Sequence, residues 1–338
     1  MKIAVIGAGA IGGLVGARLA LAGEEVSFMV RGANLEAIRA RGIRLVEMDG
    51  EAKTATQVQA FDDYAAAGPQ DIVVLAVKAH QVAGVAGRIG QLFGPDTVVV
   101  TMQNGIPFWY FHRHGGEYEG RSVRSVDADG TLARAIPPER ILGCVVYPAA
   151  ELTAPGVIRH IEGNRFPLGE LDGSTSERSV RTSACFEAAG FKSPVLDDIR
   201  AEIWLKLWGN LSFNPISALA HSTLVDICQY PLTRELAANM MREAEAVAAR
   251  LGISFRVSLE RRIAGAEKIG KHKTSMLQDV EAGREPEIDA LVGSVIELAR
   301  MTGTPTPHID SAYALMKLLE KTMAQARGGV RLQAAALA

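Results

Sequence analysis

A short buried strand that runs straight into a glycine-rich turn opens the chain and limits the folds it can adopt. The strand covers residues 3–6, and the turn is Gly7-x-Gly9-x-x-Gly12 at the start of a helix of small apolar residues. In a dinucleotide-binding turn the three glycines allow the tight bend, the approach of a pyrophosphate and close helix packing. The helix N-terminus offers N–H groups to phosphate. A glycine turn without a ligand is the alternative. The residues predicted to bind the cofactor here are Gly7, Ala8, Gly9, Ala10, Ile11 and Gly12.

Length and charge exclude several classes of protein. The 338 residues exceed the usual size of one domain, and the net charge of −2 gives no reason to expect nucleic acid as a partner. No apolar stretch is long enough to span a membrane, and no signal peptide is visible. The isolated cysteines Cys144, Cys185 and Cys228 are typical of a reduced protein. We therefore expect a cytoplasmic enzyme of two domains.

The second predicted strand indicates which nicotinamide cofactor is preferred. It covers residues 25–30 and places Arg31 at its carboxyl end. A site for NAD usually has Asp or Glu there to accept the ribose 2'-hydroxyl, whereas a guanidinium suits the 2'-phosphate of NADP. A surface arginine that opens a loop is the alternative. We predict NADP(H) as the cofactor.

Two further apolar runs, residues 71–77 and 97–101, are typical of buried parallel strands. Lys78 follows the first and Asn104 the second. Ligands of doubly wound sheets lie outside the carboxyl ends of the strands, so we expect both side chains to face the cofactor. Either residue could instead only cap a turn, and Asn-Gly is a common turn pair, so a structural role stays open for both. Short strands at residues 141–147, 156–160 and 165–169 are predicted to complete the same sheet.

The segment of residues 107–140 is polar and rich in glycine and charge. Its His112 and His114 have no cysteine or carboxylate set nearby that would complete a metal site. We expect a solvated loop and no metal.

Helical patterns alone follow residue 198, which indicates a domain boundary. We predict the α/β class, with an N-terminal Rossmann-type doubly wound sheet and a C-terminal all-helical domain. The predicted divisions are a cofactor domain of residues 1–197, a substrate and catalytic domain of residues 198–326, and a weakly ordered tail of residues 327–338. Apolar stretches at residues 294–299 and 312–319 could pack internally or form the seam of a homodimer.

The first helix of the second domain carries a polar stripe. Lys206, Asn210 and Asn214 recur at i, i+4 and i+8 and share one face, while most other positions are apolar. A polar stripe is often only a solvent-facing side. Because so much of this helix is apolar, we expect it to be buried and the stripe to line a cleft for a polar ligand.

A second polar cluster lies around Ser275 and Glu287. Ser275 with Gln278 forms a capping-box pattern, which predicts that Ser275 starts a helix and could seat a substrate carboxylate. Glu287 precedes an apolar run and could be only a favourable first-turn carboxylate.

These motifs together resemble the ketopantoate reductase family over residues 1–323. The matching motifs are Gly7-Ala-Gly9-Ala-Ile-Gly12, Lys78, Asn104-Gly105, Ala201-Glu-Ile-Trp-Leu-Lys206, Asn210, Asn214-Pro215, Ser275-Met-Leu-Gln-Asp279 and Glu287-Ile-Asp289. The resemblance implies NADPH-dependent reduction of 2-dehydropantoate to (R)-pantoate, in the pathway to pantothenate and coenzyme A. It also implies Lys206 as the proton donor. Implied substrate residues are Asn104, Asn210, Asn214 and Ser275. Implied cofactor residues are Lys78, Asn104 and Glu287.

Two departures from the family pattern affect the choice of substrate. Leu224 stands where the family has a further substrate-binding asparagine, and the loop after Asn104 is longer than usual. Three alternatives therefore remain open: a relative that reduces another branched 2-oxo acid, an enzyme like the 3-hydroxyacid dehydrogenases, and a non-catalytic NADP-binding sensor. The presence of Lys206 and its companions argues against the sensor.

Overall fold

A computed structural model describes residues 1–332, which form two compact units. The first unit consists of Met1–Asn104, Phe108–Ser122 and Asp127–Ile199. The second consists of Gly105–Pro107, Val123–Val126 and the described residues from Arg200 onward. Residues 333–338 of the predicted weakly ordered tail lie outside the described residues. Within its described part, the Val330 N–H donates to the Val280 carbonyl at 3.1 Å.

The first unit contains strands and helices in alternation. Its strands are β1 (Lys2–Ile6), β2 (Glu25–Met29), β3 (Ile43–Val46), β4 (Ala52–Ala55), β5 (Val58–Phe61), β6 (Gln70–Leu75), β7 (Phe93–Thr101), β8 (Ile141–Cys144), β9 (Ala149–Ala154), β10 (Val157–Glu162) and β11 (Leu168–Gly169). Its helices are α1 (Ala10–Leu21), α2 (Ala33–Arg41), α3 (Tyr64–Ala67), α4 (Ala83–Ile89), α5 (Thr131–Ala135) and α6 (Glu177–Ala188).

The main sheet has the order β11-β8-β7-β6-β1-β2-β5. All neighbours pair in parallel except β11, which runs antiparallel to β8. The central strands β1 and β6 are apolar and buried, as expected of parallel strands covered on both faces. The strand order reverses between β1 and β6, which is where doubly wound sheets bind ligands. The predicted Rossmann-type sheet is confirmed.

A second sheet, with the order β4-β3-β10-β9, corrects one prediction. Residues 156–160 were expected to complete the main sheet, but β10 pairs instead with β3 and β9. The buried Ile158 of β10 packs on α1, where a Cβ added to Gly13 would lie 2.4 Å from its Cδ1. The prediction was wrong because a short strand's sequence does not specify which sheet it joins.

The segment of residues 107–140 is also less solvated than expected. Trp109, Tyr110 and Phe111 are fully buried, and the Trp109 indole N–H donates to Thr101 Oγ1 at 3.0 Å. Asp127 is buried as well, and its carboxylate accepts the N–H groups of Leu132 and Ala133. The polar composition of the segment conceals this short apolar cluster.

The second unit is helical from Arg200 onward. Its helices are α7 (Ile199–Ala220), which begins at the last residue of the first unit, α8 (Leu224–Gln229), α9 (Pro231–Arg250), α10 (Leu259–Ile269), α11 (Ser275–Glu281), α12 (Ser294–Thr302) and α13 (Pro307–Ala326). A π-helical turn, Asp289–Gly293, leads into α12. Trp208 of α7 stacks on Phe255 with ring centroids 4.1 Å apart, and its indole N–H donates to the Met241 carbonyl at 2.7 Å. No helix in the described part of the chain is long and apolar enough to cross a membrane.

Candidate active site

The glycine turn between β1 and α1 is built for close approach of backbone. Gly7 has a φ of +92°, and a Cβ added to Gly12 would lie 1.9 Å from the Gly7 carbonyl oxygen. Gly9 is the N-cap residue of α1 and has no side chain that could accept a hydrogen bond from the helix N-terminus. A Cβ added there would meet no atom within 4 Å. Open backbone at a helix N-terminus fits the pyrophosphate of a dinucleotide.

Gln103 holds the two loops that carry Lys78 and Asn104. Its side-chain amide donates to the carbonyls of Leu75, at 2.8 Å, and Val77, at 2.9 Å. These bonds tie the end of β7 to the end of β6, beside the glycine turn. Lys78 and Asn104 are both half-buried. Sequence reasoning missed Gln103, although a polar residue directly before Asn104 and after an apolar strand was a signal.

Arginine side chains lie at the carboxyl ends of β2 and β5. Arg31 follows β2 and Val30 and is exposed. Burial raises the pKa of the Tyr64 hydroxyl, and the nearby charges of Arg88 and Arg31 oppose that shift. The Arg88 guanidinium lies 4.7 Å above the Tyr64 ring. Arg88 was also missed by sequence reasoning, because its position beside Arg31 depends on how α4 packs.

Helix α7 carries the predicted polar stripe in the second unit. Lys206 and Asn210 are half-buried, and Asn214 is only 5% exposed. The other face is buried, with Trp204, Trp208 and Leu211 all fully enclosed. Among residues 1–332 the structure gives no hydrogen bond to the side chain of Asn210 or of Asn214. Polar side chains that form one stripe on an otherwise buried helix are suited to bind a polar ligand.

Helix α11 begins at Ser275, as predicted, but the residue that caps it is the one before. Thr274, not Ser275, is the capping residue, and its buried hydroxyl accepts the Leu277 N–H at 3.2 Å. Ser275 is the first helical residue and its side chain is exposed. The capping-box prediction was wrong because adjacent threonine and serine both fit the pattern. Ser275 therefore keeps its hydroxyl for other partners.

Glu287 stands two residues before the start of the π-helical turn, and its carbonyl accepts the Leu291 N–H at 3.1 Å. The turn is fixed by Asp289, whose carboxylate accepts from the Tyr313 hydroxyl at 2.6 Å and from Lys317 Nζ at 3.0 Å. Burial and Asp289 together raise the pKa of Tyr313 to about 12. The segment after Glu287 is thereby held in place.

Comparison with known proteins identifies the family. Residues 3–173 match the model of "Ketopantoate reductase PanE/ApbA", and residues 198–320 match "Ketopantoate reductase PanE/ApbA C terminal". The chain belongs to the ketopantoate reductase family. A 2-dehydropantoate 2-reductase of Mesorhizobium japonicum is 53% identical over 320 residues, which cover 94% of this chain and 98% of that relative. The protein is thus an oxidoreductase of a family that uses NAD(P).

Solved structures of similar proteins agree with this family. A crystal structure from Ralstonia solanacearum MolK2 superposes with a TM-score of 0.91 at 44% identity, covering 96% of this chain and 98% of that one. The 2-dehydropantoate 2-reductase of Methylococcus capsulatus superposes with a TM-score of 0.81 at 31% identity, covering 96% and 98%.

Leu224 and the segment after Asn104 are the two features that the sequence led us to expect to affect substrate choice. Leu224 begins α8 and is buried, and its N–H donates to the His272 carbonyl at 3.0 Å. The segment after Asn104 holds the buried residues Trp109 to Phe111 described above. No group of three or more His, Cys, Asp and Glu side chains in the described chain could hold a metal ion.

Proposed function

We propose that the protein reduces 2-dehydropantoate (ketopantoate) to (R)-pantoate with NADPH, a step toward pantothenate and coenzyme A. The observation that carries this proposal is the stripe on α7, where a lysine and two asparagines stand on an otherwise buried helix. The 53% identical relative named 2-dehydropantoate 2-reductase supports the choice of substrate.

The chain's own residues supply binding and proton transfer. When bound, NADPH would supply a hydride to the ketone carbon. The ketone oxygen then gains negative charge, which the Lys206 ammonium stabilises and neutralises by giving up a proton. Asn210, Asn214 and Ser275 orient the substrate through hydrogen bonds, so that the carbonyl carbon faces the hydride.

The cofactor would be held mainly by the first unit. The backbone of residues 7–12 receives the pyrophosphate, and Arg31 pairs with the 2'-phosphate. Lys78, Asn104 and Glu287 provide further contacts, with Asn104 also near the substrate. In this proposal residues 1–197 serve the cofactor and residues 198–326 the substrate, in a cytoplasmic enzyme that could act as a homodimer.

A second candidate function is reduction of another branched 2-oxo acid. Leu224 favours it, because a buried leucine replaces an amide expected from the family pattern. An apolar side chain there would accept a more apolar substrate tail than an asparagine does.

A steady-state assay of NADPH and NADH oxidation separates these functions. The panel should contain ketopantoate, pyruvate and 2-oxo acids with larger branched tails. We expect the highest kcat/KM with ketopantoate and NADPH. Preference for another branched 2-oxo acid would favour the second candidate. Binding of NADPH without turnover of any 2-oxo acid would contradict both and indicate a sensor.

A further inference from the structure

A glycine inside α7 makes room for an arginine from another helix. Gly209 is buried within this 22-residue helix, where glycine weakens helix stability relative to alanine. A Cβ added to Gly209 would lie 2.0 Å from Nη2 and 2.7 Å from Cζ of Arg262. The Arg262 guanidinium therefore occupies the place that a side chain at position 209 would fill.

This place is next to Lys206. Positions 206 and 209 are three residues apart on α7, and such pairs have Cβ atoms about 5–6 Å apart. Asn210 lies four residues after Lys206, so it is also a neighbour of Lys206 on the helix surface. Arg262 itself is half-buried and comes from α10. The place that the Arg262 guanidinium occupies and Asn210 thus belong to the two rows of α7 that adjoin Lys206.

We propose that Arg262 binds the carboxylate of the substrate, an inference that rests on the proposed function. A 2-oxo acid carries its carboxylate on the carbon bonded to the ketone carbon. If Lys206 serves the ketone oxygen, a second positive charge within a few ångströms would pair with the carboxylate beyond what the neutral Ser275 hydroxyl provides. The other proposed substrate side chains on this unit, Asn210, Asn214 and Ser275, are neutral.

A guanidinium pairs with a carboxylate through two parallel hydrogen bonds, which are stronger than neutral ones. Arg262 is thus a specificity-determining residue that selects 2-oxo carboxylates over neutral ketones. Gly209 leaves the space that the Arg262 guanidinium occupies. A methyl group at position 209 would displace the end of a flexible side chain rather than backbone, so the helix itself can accept alanine.

The test compares Arg262→Gln with a matched control, Arg261→Gln, the adjacent exposed arginine on α10. Each variant is assayed with ketopantoate and with its neutral lactone, ketopantoyl lactone. We expect Arg262→Gln to lower kcat/KM for the acid by about 10- to 100-fold, the range typical of a lost charged hydrogen bond. The value for the lactone should change less than about 3-fold, and Arg261→Gln should resemble wild type.

Gly209→Ala provides a second variant with Arg262 intact. It should lower kcat/KM for the acid in the same direction without lowering Tm. An equal loss for acid and lactone in Arg262→Gln, or no loss for the acid, would overturn the proposal.

Direct binding distinguishes failure of this inference from failure of the proposed function. Calorimetric titration of the NADP⁺-loaded protein with pantoate should show weaker binding to Arg262→Gln than to wild type. If wild type binds pantoate but reduces no 2-oxo acid, the proposed function fails while the variant still tests Arg262. If wild type and Arg262→Gln bind pantoate equally, or wild type does not bind it, the role of Arg262 is overturned.

Discussion

Helices α1 and α7 each contain a buried glycine that leaves no room for a Cβ, but the two glycines admit different groups. At Gly12 the neighbouring atom is backbone, the Gly7 carbonyl oxygen at 1.9 Å. At Gly209 it is the end of a side chain, the Arg262 guanidinium at 2.0 Å. The first glycine shapes a turn within six residues of sequence, whereas the second accommodates a residue 53 positions away.

The difference shows two ways to build a binding site. The turn before α1 offers backbone N–H groups and has few functional side chains. Ligand binding there should therefore depend on the backbone conformation of the turn. Helix α7 instead offers the side chains of Lys206, Asn210 and Asn214. Substitutions should therefore affect folding and cofactor binding at α1, and turnover at α7.

The largest effect is expected for Lys206→Ala. Removal of the proton donor should lower kcat by about 10²- to 10⁴-fold, the range typical of general acid catalysis. The dissociation constant for NADPH, measured by fluorescence titration, should stay within about 2-fold of wild type. The exposed Lys321→Ala is the matched control. A kcat near the wild-type value would show that Lys206 is not the acid.

Gly12→Ala should be the most damaging change at α1. Because the obstructing atom is a carbonyl oxygen of the same turn, we expect a loss of more than about 3 kcal/mol of stability or misplacement of the turn. Thermal unfolding and NADPH titration measure the two outcomes. Gly87→Ala in α4 is the control, since a Cβ there meets no atom within 4 Å. Wild-type Tm and NADPH affinity in Gly12→Ala would refute the backbone role.

Arg31→Asp should change cofactor selectivity rather than turnover. Loss of the guanidinium and gain of a negative charge should weaken NADPH by about 10- to 100-fold and NADH much less. The ratio of kcat/KM for the two cofactors measures the effect, with the exposed Arg41→Asp as control. An unchanged ratio would place the 2'-phosphate at another residue.

The smallest effect is expected for the Glu47 carboxylate, which Arg18 of α1 contacts. Arg18 and His160 bond to the Glu47 carboxylate, with Arg18 Nη2 at 2.6 Å from Oε2. Burial would raise the pKa of Glu47, but these bonds outweigh it and the pKa lies below 4.5. A lowered carboxyl pKa stabilises the folded protein above about pH 4.5, and this stabilisation is lost as pH falls through the folded pKa.

Glu47→Gln should remove this part of the acid sensitivity. Between pH 5 and pH 3 its Tm should fall by about 2 °C less than that of wild type. If Tm, measured by scanning calorimetry, changes equally with pH in the two proteins, the bonds to Glu47 add no pH-dependent stability.

The main sheet was predictable because its central strands are continuous apolar runs that end in polar residues. The second sheet was mostly missed, since β4 and β9 are largely exposed and carry no apolar run. A strand stabilised by its neighbours gives little local signal.

The candidate site also contains some features that have a local sequence signal and others that have none. The glycine turn and the stripe on α7 depend on spacing within a few residues, and the sequence predicted both. Gln103 escaped notice because its role depends on the carbonyls of Leu75 and Val77, which packing brings close. The cap at Thr274 was misassigned by one residue, since local chemistry alone does not separate two adjacent hydroxyl residues.

The most direct test of the proposed reaction follows the hydride itself. Wild-type protein is incubated with ketopantoate and NADPH carrying deuterium at C4 of the nicotinamide, in each of the two stereochemical positions, and the product is examined by NMR. We predict (R)-pantoate deuterated at C2 from one of the two labelled cofactors, with one molecule formed for each NADPH oxidised. Oxidation of NADPH without deuterated pantoate, or no oxidation at all, would contradict the proposed function.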